Sequence, residues 1–334
     1  MERKLVQMTE SAAKLLAALD DFLERERQRN NGKSPALNPG QRKQFLWPRQ
    51  SISRQYNVKP TDFTRSFRFE THGEAFDVLL AETPFGIFGK CEDLKAEAKG
   101  TTLEQMLANL EREVEPLFSR QFAIARTLGL RRRFEGNISE LEPADHLKLL
   151  YCEDRDVAHA AMFEIEAHSG SGDFGPALVR ILEDDSHPYR RTAQWCTLDI
   201  LEDLPNVIRD EEWQTKCFAA IRSLLDSAED DYARTIYKAG DVLGDHVANE
   251  HAQELLVDVA RNGRSPIGRR SAIHGLFHLC EWRPDSVPEV LDALQAIGRT
   301  DPEPTLRAYA SSLADCIAHG MPHGPDPVLP QDAA

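Results

Sequence analysis

Apolar residues recur along this chain at two spacings, and each spacing assigns a structure to its own stretch. Over residues 9–28, Ala12, Leu15, Leu16, Leu19, Phe22 and Leu23 fall at helical intervals on one face, and Thr9 is placed to cap the first turn. Residues 30–60 carry no such stripe; Asn, Gly, Pro and Ser are frequent, and a loop or linker is expected. Alternation then takes over. Phe67 and Phe69 flank Arg68, Phe76, Val78 and Leu80 form a second alternating run, and His72-Gly73 between them suits a tight hairpin turn. Thr83-Pro84-Phe85-Gly86 reads as another turn, with Pro at a position whose φ it already satisfies. Ile87 to about Ala98 supplies a third strand, and a small antiparallel meander results.

Helical spacing returns at Thr102-x-x-Gln105, a capping-box signature, followed by Met106, Leu107, Leu110 and Val114. Pro116 lacks an N–H and is expected to kink or interrupt this helix. The stripe resumes through Phe118, Phe122, Ala125 and Leu128, and Gly129 is placed to end it. Arg131-Arg132-Arg133 follow, where cations complement the helix dipole. These features divide the chain into an N-terminal amphipathic helix at 1–30 and a basic linker at 31–60. An α+β domain covers 61–140, an all-helical region 141–320, and a disordered Pro- and Gly-rich tail 321–334.

Within the helical region one phrase repeats: a small or acidic turn, then a helix opening with apolar-Arg-x-x-Ala. The clearest copies are Tyr189-Arg190-Arg191-Thr192-Ala193, Gly268-Arg269-Arg270-Ser271-Ala272 and Leu306-Arg307-Ala308-Tyr309-Ala310. Weaker copies begin at Val157 and Tyr232. The residues closing each phrase are Ala161, Ala193, Ile236, Ala272 and Ala310, at intervals of 32, 43, 36 and 38. Second helices lie between them, at Gly175 to Glu183, Trp213 to Leu225, His251 to Ala260 and Val287 to Ile297. Two helices per unit of this length is the period of an α-solenoid, because one helix pair cannot bury its own apolar face. The stretch from Gly175 through Tyr189-Arg190 to Ala193 resembles the HEAT repeats of the phycobilisome-lyase type. The resemblance covers about residues 145–320 and implies a mainly α fold: a right-handed HEAT-like solenoid of about five helical hairpins, preceded by the small α+β domain.

Charge changes what such an array could bind. The formal net charge is −15. Residues 1–145 hold 23 basic and 22 acidic side chains, leaving 17 and 33 for residues 146–334. So acidic a body repels phosphate backbones on average, which disfavours nucleic acid and favours a basic protein partner. No apolar run approaches the roughly 20 residues of a membrane span, and the first residues lack a signal-peptide pattern. A soluble cytoplasmic protein is expected, with its six scattered cysteines reduced and packed.

Acidic clusters mark the inter-helix turns: Glu183-Asp184-Asp185, Asp210-Glu211-Glu212 and Glu229-Asp230-Asp231. Such carboxylates cap helix N-termini, and aligned turns would also make acidic ridges. Asp184, Asp185, Glu229, Asp230 and Asp231 are therefore candidate contacts for a basic partner. His274 and His278 join them, four apart on one helix and off the face set by Ala272, Leu276 and Leu279. Two such histidines could face one metal ion, but H-E-x-x-H is absent and the sequence offers no evident third ligand. They are read as an exposed or groove-facing pair for partner contact, with no metal and no cofactor assigned.

Other signals yield no chemistry. Gly170-x-Gly172-x-x-Gly175 spells a dinucleotide fingerprint, but a helix precedes it and Asp173 would repel pyrophosphate. The basic segment Gln41–Arg49, with Phe45 and Trp47, reads as a strap docking on a neighbouring domain. No nucleophile elbow or Walker A loop occurs. The expectation is a non-enzymatic protein-binding or scaffold protein. The resemblance also implies an alternative, a HEAT-scaffold enzyme such as a bilin-lyase-like protein, and more distantly a nucleic-acid-acting one. The iron-binding deoxyhypusine hydroxylase pattern is absent, since no His-Glu dipeptide occurs.

Overall fold

The computed structural model describes residues 8–29, 51–71, 74–94, 96–168, 172–227 and 233–320. The His72-Gly73 turn, Phe45 and Trp47 of the strap, the turn Glu229-Asp230-Asp231 and the tail from 321 lie outside them. Contacts sort the chain into two units, Asn38–Glu135 and a second made of Met1–Leu37 with Gly136–Ala334. The α+β unit is thus an insertion between the first helix, α1 (Glu10–Arg29), and the remaining helices.

The α+β unit begins with a short helix α2 (Ile52–Gln55), inside the stretch expected to be linker. The strands β1 (Arg65–Thr71), β2 (Glu74–Thr83), β3 (Gly86–Cys91) and β4 (Ala96–Gly100) form one antiparallel sheet in sequence order. The meander has one strand more than expected. The chain turns back after Cys91, so that Cys91 pairs with Ala96. Glu92-Asp93 explains the reversal, because acidic residues fit turns better than strands.

Helix α3 (Leu103–Leu128) covers the sheet. Its stripe of Met106, Leu110, Val114 and Phe118 is fully buried against Phe76, Val78, Leu80, Cys91 and Ala98. The helix runs through Pro116, so the interruption expected as one outcome does not occur. Proline in a helix interior costs about 3 kcal/mol. Val114 and Phe118, one on either side of it, gain roughly 1.5–3 kcal/mol each from burial, enough to hold the helix together. Thr102 caps the start by accepting from the Gln105 N–H at 3.1 Å. The reciprocal bond falls one residue early, with Gln105 Oε1 accepting from the Thr101 N–H at 2.8 Å. Gly129, at φ 71°, closes the other end as expected, with the Leu130 N–H bonded to the Ala125 carbonyl at 2.8 Å.

The helical unit continues with α4 (Pro143–Leu149), α5 (Arg155–His168), α6 (Gly175–Leu182), α7 (Arg190–Ile200), α8 (Leu204–Val207), α9 (Glu211–Leu225) and α10 (Ala233–Asp241). A π-helical turn, Val242–Val247, extends α10. Then come α11 (Glu250–Asn262), α12 (Pro266–Trp282), α13 (Val287–Thr300) and α14 (Pro304–His319). The contacts follow two series. One runs α5–α7–α10–α12–α14, the other α6–α9–α11–α13. Cross-contacts α6–α7, α9–α10, α11–α12 and α13–α14 join them. The phrase-closing residues Ala161, Ala193, Ile236, Ala272 and Ala310 are all fully buried, as helices in close approach require. Helix α1 lies on α4 and α6, where Phe22 meets Tyr151 and His187 at ring distances of 5.7 and 5.9 Å.

Candidate functional site

Hydrogen bonds between successive helices of the first series skip between 31 and 44 residues of chain, and several of them fall near 36. Lys238 bonds Glu202 across 36 residues, His274 bonds Tyr309 across 35, and Trp282 bonds Asp245 across 37. In the second series Gln253 reaches Glu289 across 36. Equivalent positions therefore come into register along a series. On the first series the register assembles a polar and aromatic strip.

Each helix contributes positions spaced three or four apart, which share one face. Helix α5 gives His159, Phe163 and Glu166, and α7 gives Trp195 and Asp199, with Glu202 just beyond its end. The ring of His159 lies 5.1 Å from that of Trp195. Lys238, on α10, sits 2.9 Å from Asp199 and also pairs with Glu202. Burial alone would lower the Lys238 pKa, but its two carboxylate partners raise it overall. Glu166 titrates above the usual carboxylate range because of burial and then the charges of Asp199 and Glu202, with Lys238 opposing. Phe163 and Trp282 are 61% and 65% exposed, so large apolar surfaces border these charges.

The strip is most concentrated where α10 meets α12. Gly240, Gly244 and Gly275 allow the approach: a Cβ at Gly244 would overlap the Gly275 carbonyl, and one at Gly275 would overlap that of Gly240. The backbones then bring Asp241 to His274. His274 Nε2 lies 3.2 Å from Asp241 Oδ1 and 3.1 Å from His278 Nε2. Its Nδ1 is 2.9 Å from the Tyr309 hydroxyl, and His278 Nδ1 is 2.8 Å from Glu281 Oε2. Asp241, His274 and His278 together have the donor types and the mutual reach, within 4.8 Å, to hold a metal ion. Asp245, His278 and Glu281 form a second such group. The π-helical turn adjoins both groups and ends at Ala248, which adopts the left-handed φ of 38°. Irregular backbone of both kinds concentrates at functional sites.

The sequence reads His274 and His278 as an exposed or groove-facing pair. His274 is instead 7% exposed, wedged between Tyr237 and Tyr309, while His278 is half-buried. Asp241, Asp199, Glu202 and Lys238 escaped the sequence reading, although a comparison of positions 36 apart would have aligned Glu166, Glu202 and Lys238 with His274. The acidic turns divide in their roles. Asp184 is 2% exposed, and its carboxylate accepts from the Ser186 and His187 N–H groups, so it fixes its own turn. Asp185 is exposed. Asp210 caps α9 by accepting from the Glu212 and Trp213 N–H groups. Glu229, Asp230 and Asp231 lie outside the described residues.

The repeated arginines differ in reach. Arg269 reaches across to Asp301, with Nε 2.9 Å from Oδ2, and both are buried. Arg307 and Arg190 donate to carbonyls of their own turns, Asp301 and His187 respectively. None of the six cysteines forms a disulfide. Burial pushes Cys217 up to about 12 and Cys280 to about 11, far from the range of a reactive thiolate. At the glycine-rich turn, Gly172 has φ 70°, Asp173 accepts from the Thr9 hydroxyl at 2.7 Å, and a helix, α5, precedes. No helix among the described residues is long and apolar enough to cross a membrane. No protein-family model, curated protein or solved structure matches the chain.

Proposed function

We propose that the helical unit is a HEAT-like α-solenoid of the phycobilisome-lyase repeat type, acting as a protein-binding array without chemistry of its own. The observation that carries this reading is the strip itself, in which polar and aromatic side chains are presented by one helix series at the repeat spacing. Side-chain contacts that recur near 36 residues apart fit a stack of like units. The strip holds Glu166, Asp199, Glu202, Asp241, Asp245 and Glu281 against one lysine, and the partner it suits is a basic protein segment carrying an apolar anchor for Phe163 and Trp282. Charge of this kind sets association rate and salt dependence, while the exposed aromatics supply the adhesive area.

The test compares two variants of equal charge. Glu166→Lys with Asp245→Lys alters the strip; Glu183→Lys with Asp185→Lys alters an inter-helix turn. Binding of an arginine-rich peptide ending in Trp is followed by fluorescence anisotropy at low and moderate salt. The strip variant is expected to lose about tenfold or more in affinity, the turn variant much less. Equal losses would mean that only net charge is being read, and the assignment of the strip would be wrong.

A further inference from the structure

We infer that Asp241, His274 and His278 bind one divalent transition-metal ion of the zinc class, with a fourth coordination position left for water or an incoming ligand. Three independent features of the cluster lead there. The first is spacing. Zinc bonds of about 2.0–2.1 Å in tetrahedral geometry put neighbouring donor atoms about 3.3 Å apart. The His274–His278 and His274–Asp241 donor separations are 3.1 and 3.2 Å, and Asp241 and His278 lie within 4.8 Å of each other. The i, i+4 histidines come from α12, and the carboxylate from α10, so the ion would join two successive helices.

The second feature is how the imidazoles are held. Metal-bound histidines commonly donate their other N–H to a carboxylate or another oxygen, which fixes ring orientation. His278 Nδ1 faces the Glu281 carboxylate, and His274 Nδ1 faces the Tyr309 hydroxyl. A carboxylate can only accept, so the proton of a neutral His278 sits on Nδ1 and its Nε2 turns a lone pair towards His274 and Asp241. His274 Nε2 faces both that lone pair and the Asp241 carboxylate. With an ion, Tyr309 accepts from His274 Nδ1 and all three inward atoms become ligands.

The third feature is selectivity. Two imidazoles and one carboxylate suit zinc, cobalt or ferrous iron better than magnesium or calcium, which prefer oxygen alone. His274 is buried, while Asp241 and His278 keep about a third and a quarter of their side-chain surface. The open position is therefore reachable from solvent. The neighbouring group Asp245, His278 and Glu281 is the weaker candidate, because Asp245 already accepts from the Trp282 indole at 2.6 Å and Glu281 is exposed.

The experiment uses the full chain, stripped with a chelator and titrated with Zn(II) by calorimetry, then with Co(II) by visible absorption. One equivalent of Zn(II) and an intense Co(II) band of a four-coordinate site are expected. His278→Ala and Asp241→Asn should each remove that equivalent while the far-ultraviolet circular dichroism stays helical. Glu281→Gln should weaken affinity by about tenfold, as loss of an imidazole's carboxylate partner does. His274→Ala is less useful, since that ring is part of the core. Absence of a stoichiometric site in the wild-type chain would overturn the inference. So would undiminished binding in the His278→Ala and Asp241→Asn variants, which would place the ion elsewhere. The basic-peptide assay is performed in chelator, so its outcome and this one are independent.

Discussion

The strands of the α+β unit pair with their neighbours in sequence, whereas the polar strip of the helical unit is built from contacts that skip an intervening helix. In the sheet, Thr83 pairs with Gly86 and Cys91 with Ala96, each across a single turn. In the helical unit, Lys238 with Glu202 and Gln253 with Glu289 each skip 36 residues. The first kind of contact is chosen by turn chemistry. The second is chosen by register along a series, and a polar group placed there reports on its neighbour one unit away. The strip and the metal-ligating cluster are both of the second kind.

Deleting one buried partner in each unit gives the sharpest contrast. Arg269 and Asp301 are an ion pair with both members buried. Arg269→Ala leaves a carboxylate buried without its cation, and about 3–5 kcal/mol should be lost. Phe118→Ala empties the centre of the other core, where the ring meets Phe76 at 5.4 Å, and should cost a similar amount. Amide hydrogen exchange distinguishes the two. Arg269→Ala should deprotect α12, α13 and α14 and leave α3 unchanged; Phe118→Ala should do the reverse. Deprotection of both units by either variant would break the distinction between them.

Acid separates the units next. Burial holds the His187 imidazole down at about 4, against an ordinary 6.5, with Asp184 opposing and Arg190 assisting. The unfolded chain therefore takes up a proton below pH 6.5 that the folded chain refuses until about pH 4. Stability is full above pH 6.5 and falls through that window by on the order of 3 kcal/mol, since each pH unit between the two values contributes about 1.36 kcal/mol. In the α+β unit, Glu97 works over a lower range. Burial would raise its pKa, but hydrogen bonds from the Ser53 N–H and the Ser51 and Ser53 hydroxyls bring it below 4.5. Its contribution is present above pH 4.5 and is lost as pH falls through the folded value. The helical unit should thus weaken first on acidification. His187→Phe, which keeps the contacts with Phe22 and Tyr151, should flatten the slope of its denaturant midpoint between pH 6.5 and 4. An unchanged slope would show that another group titrates there.

These differences explain what could be read from the chain alone. Thr102, Gly129 and the stripe from Met106 to Phe118 are local signals, and each acts as its type dictates. Pro116 does not interrupt α3, because burial on both sides outweighs the local rule. The second-series helices were legible from apolar spacing, and so was the stripe of α1, but not the surface of α4 and α6 that α1 covers. Asp241 was illegible as a partner of His274 for a different reason. No spacing within one helix links them; only the contact of Gly240 and Gly244 with Gly275 does, and that is a property of two helices together. Asp184 looked like surface because acidic turn residues usually are, and nothing local reveals that its own turn encloses it.

The smallest expected effect bears on whether local features behave alike in both units. Thr102 caps α3, and Asn249 caps α11 by accepting from the Ala252 N–H at 2.9 Å. Either residue replaced by alanine should cost about 1 kcal/mol, the usual value for a lost N-cap. The total is the same, but its distribution should not be. Helix α3 packs on a single sheet, so Thr102→Ala should loosen only its first turns. Helix α11 touches α9, α12 and α13. On the proposed solenoid reading each unit is stabilised by its neighbours, and weakening one member lowers the protection of those beside it. Asn249→Ala should therefore raise exchange in α9 and α13 as well as in α11. If the loss stays within the first turn of α11, coupling between successive helix pairs is weaker than their 36-residue contacts imply.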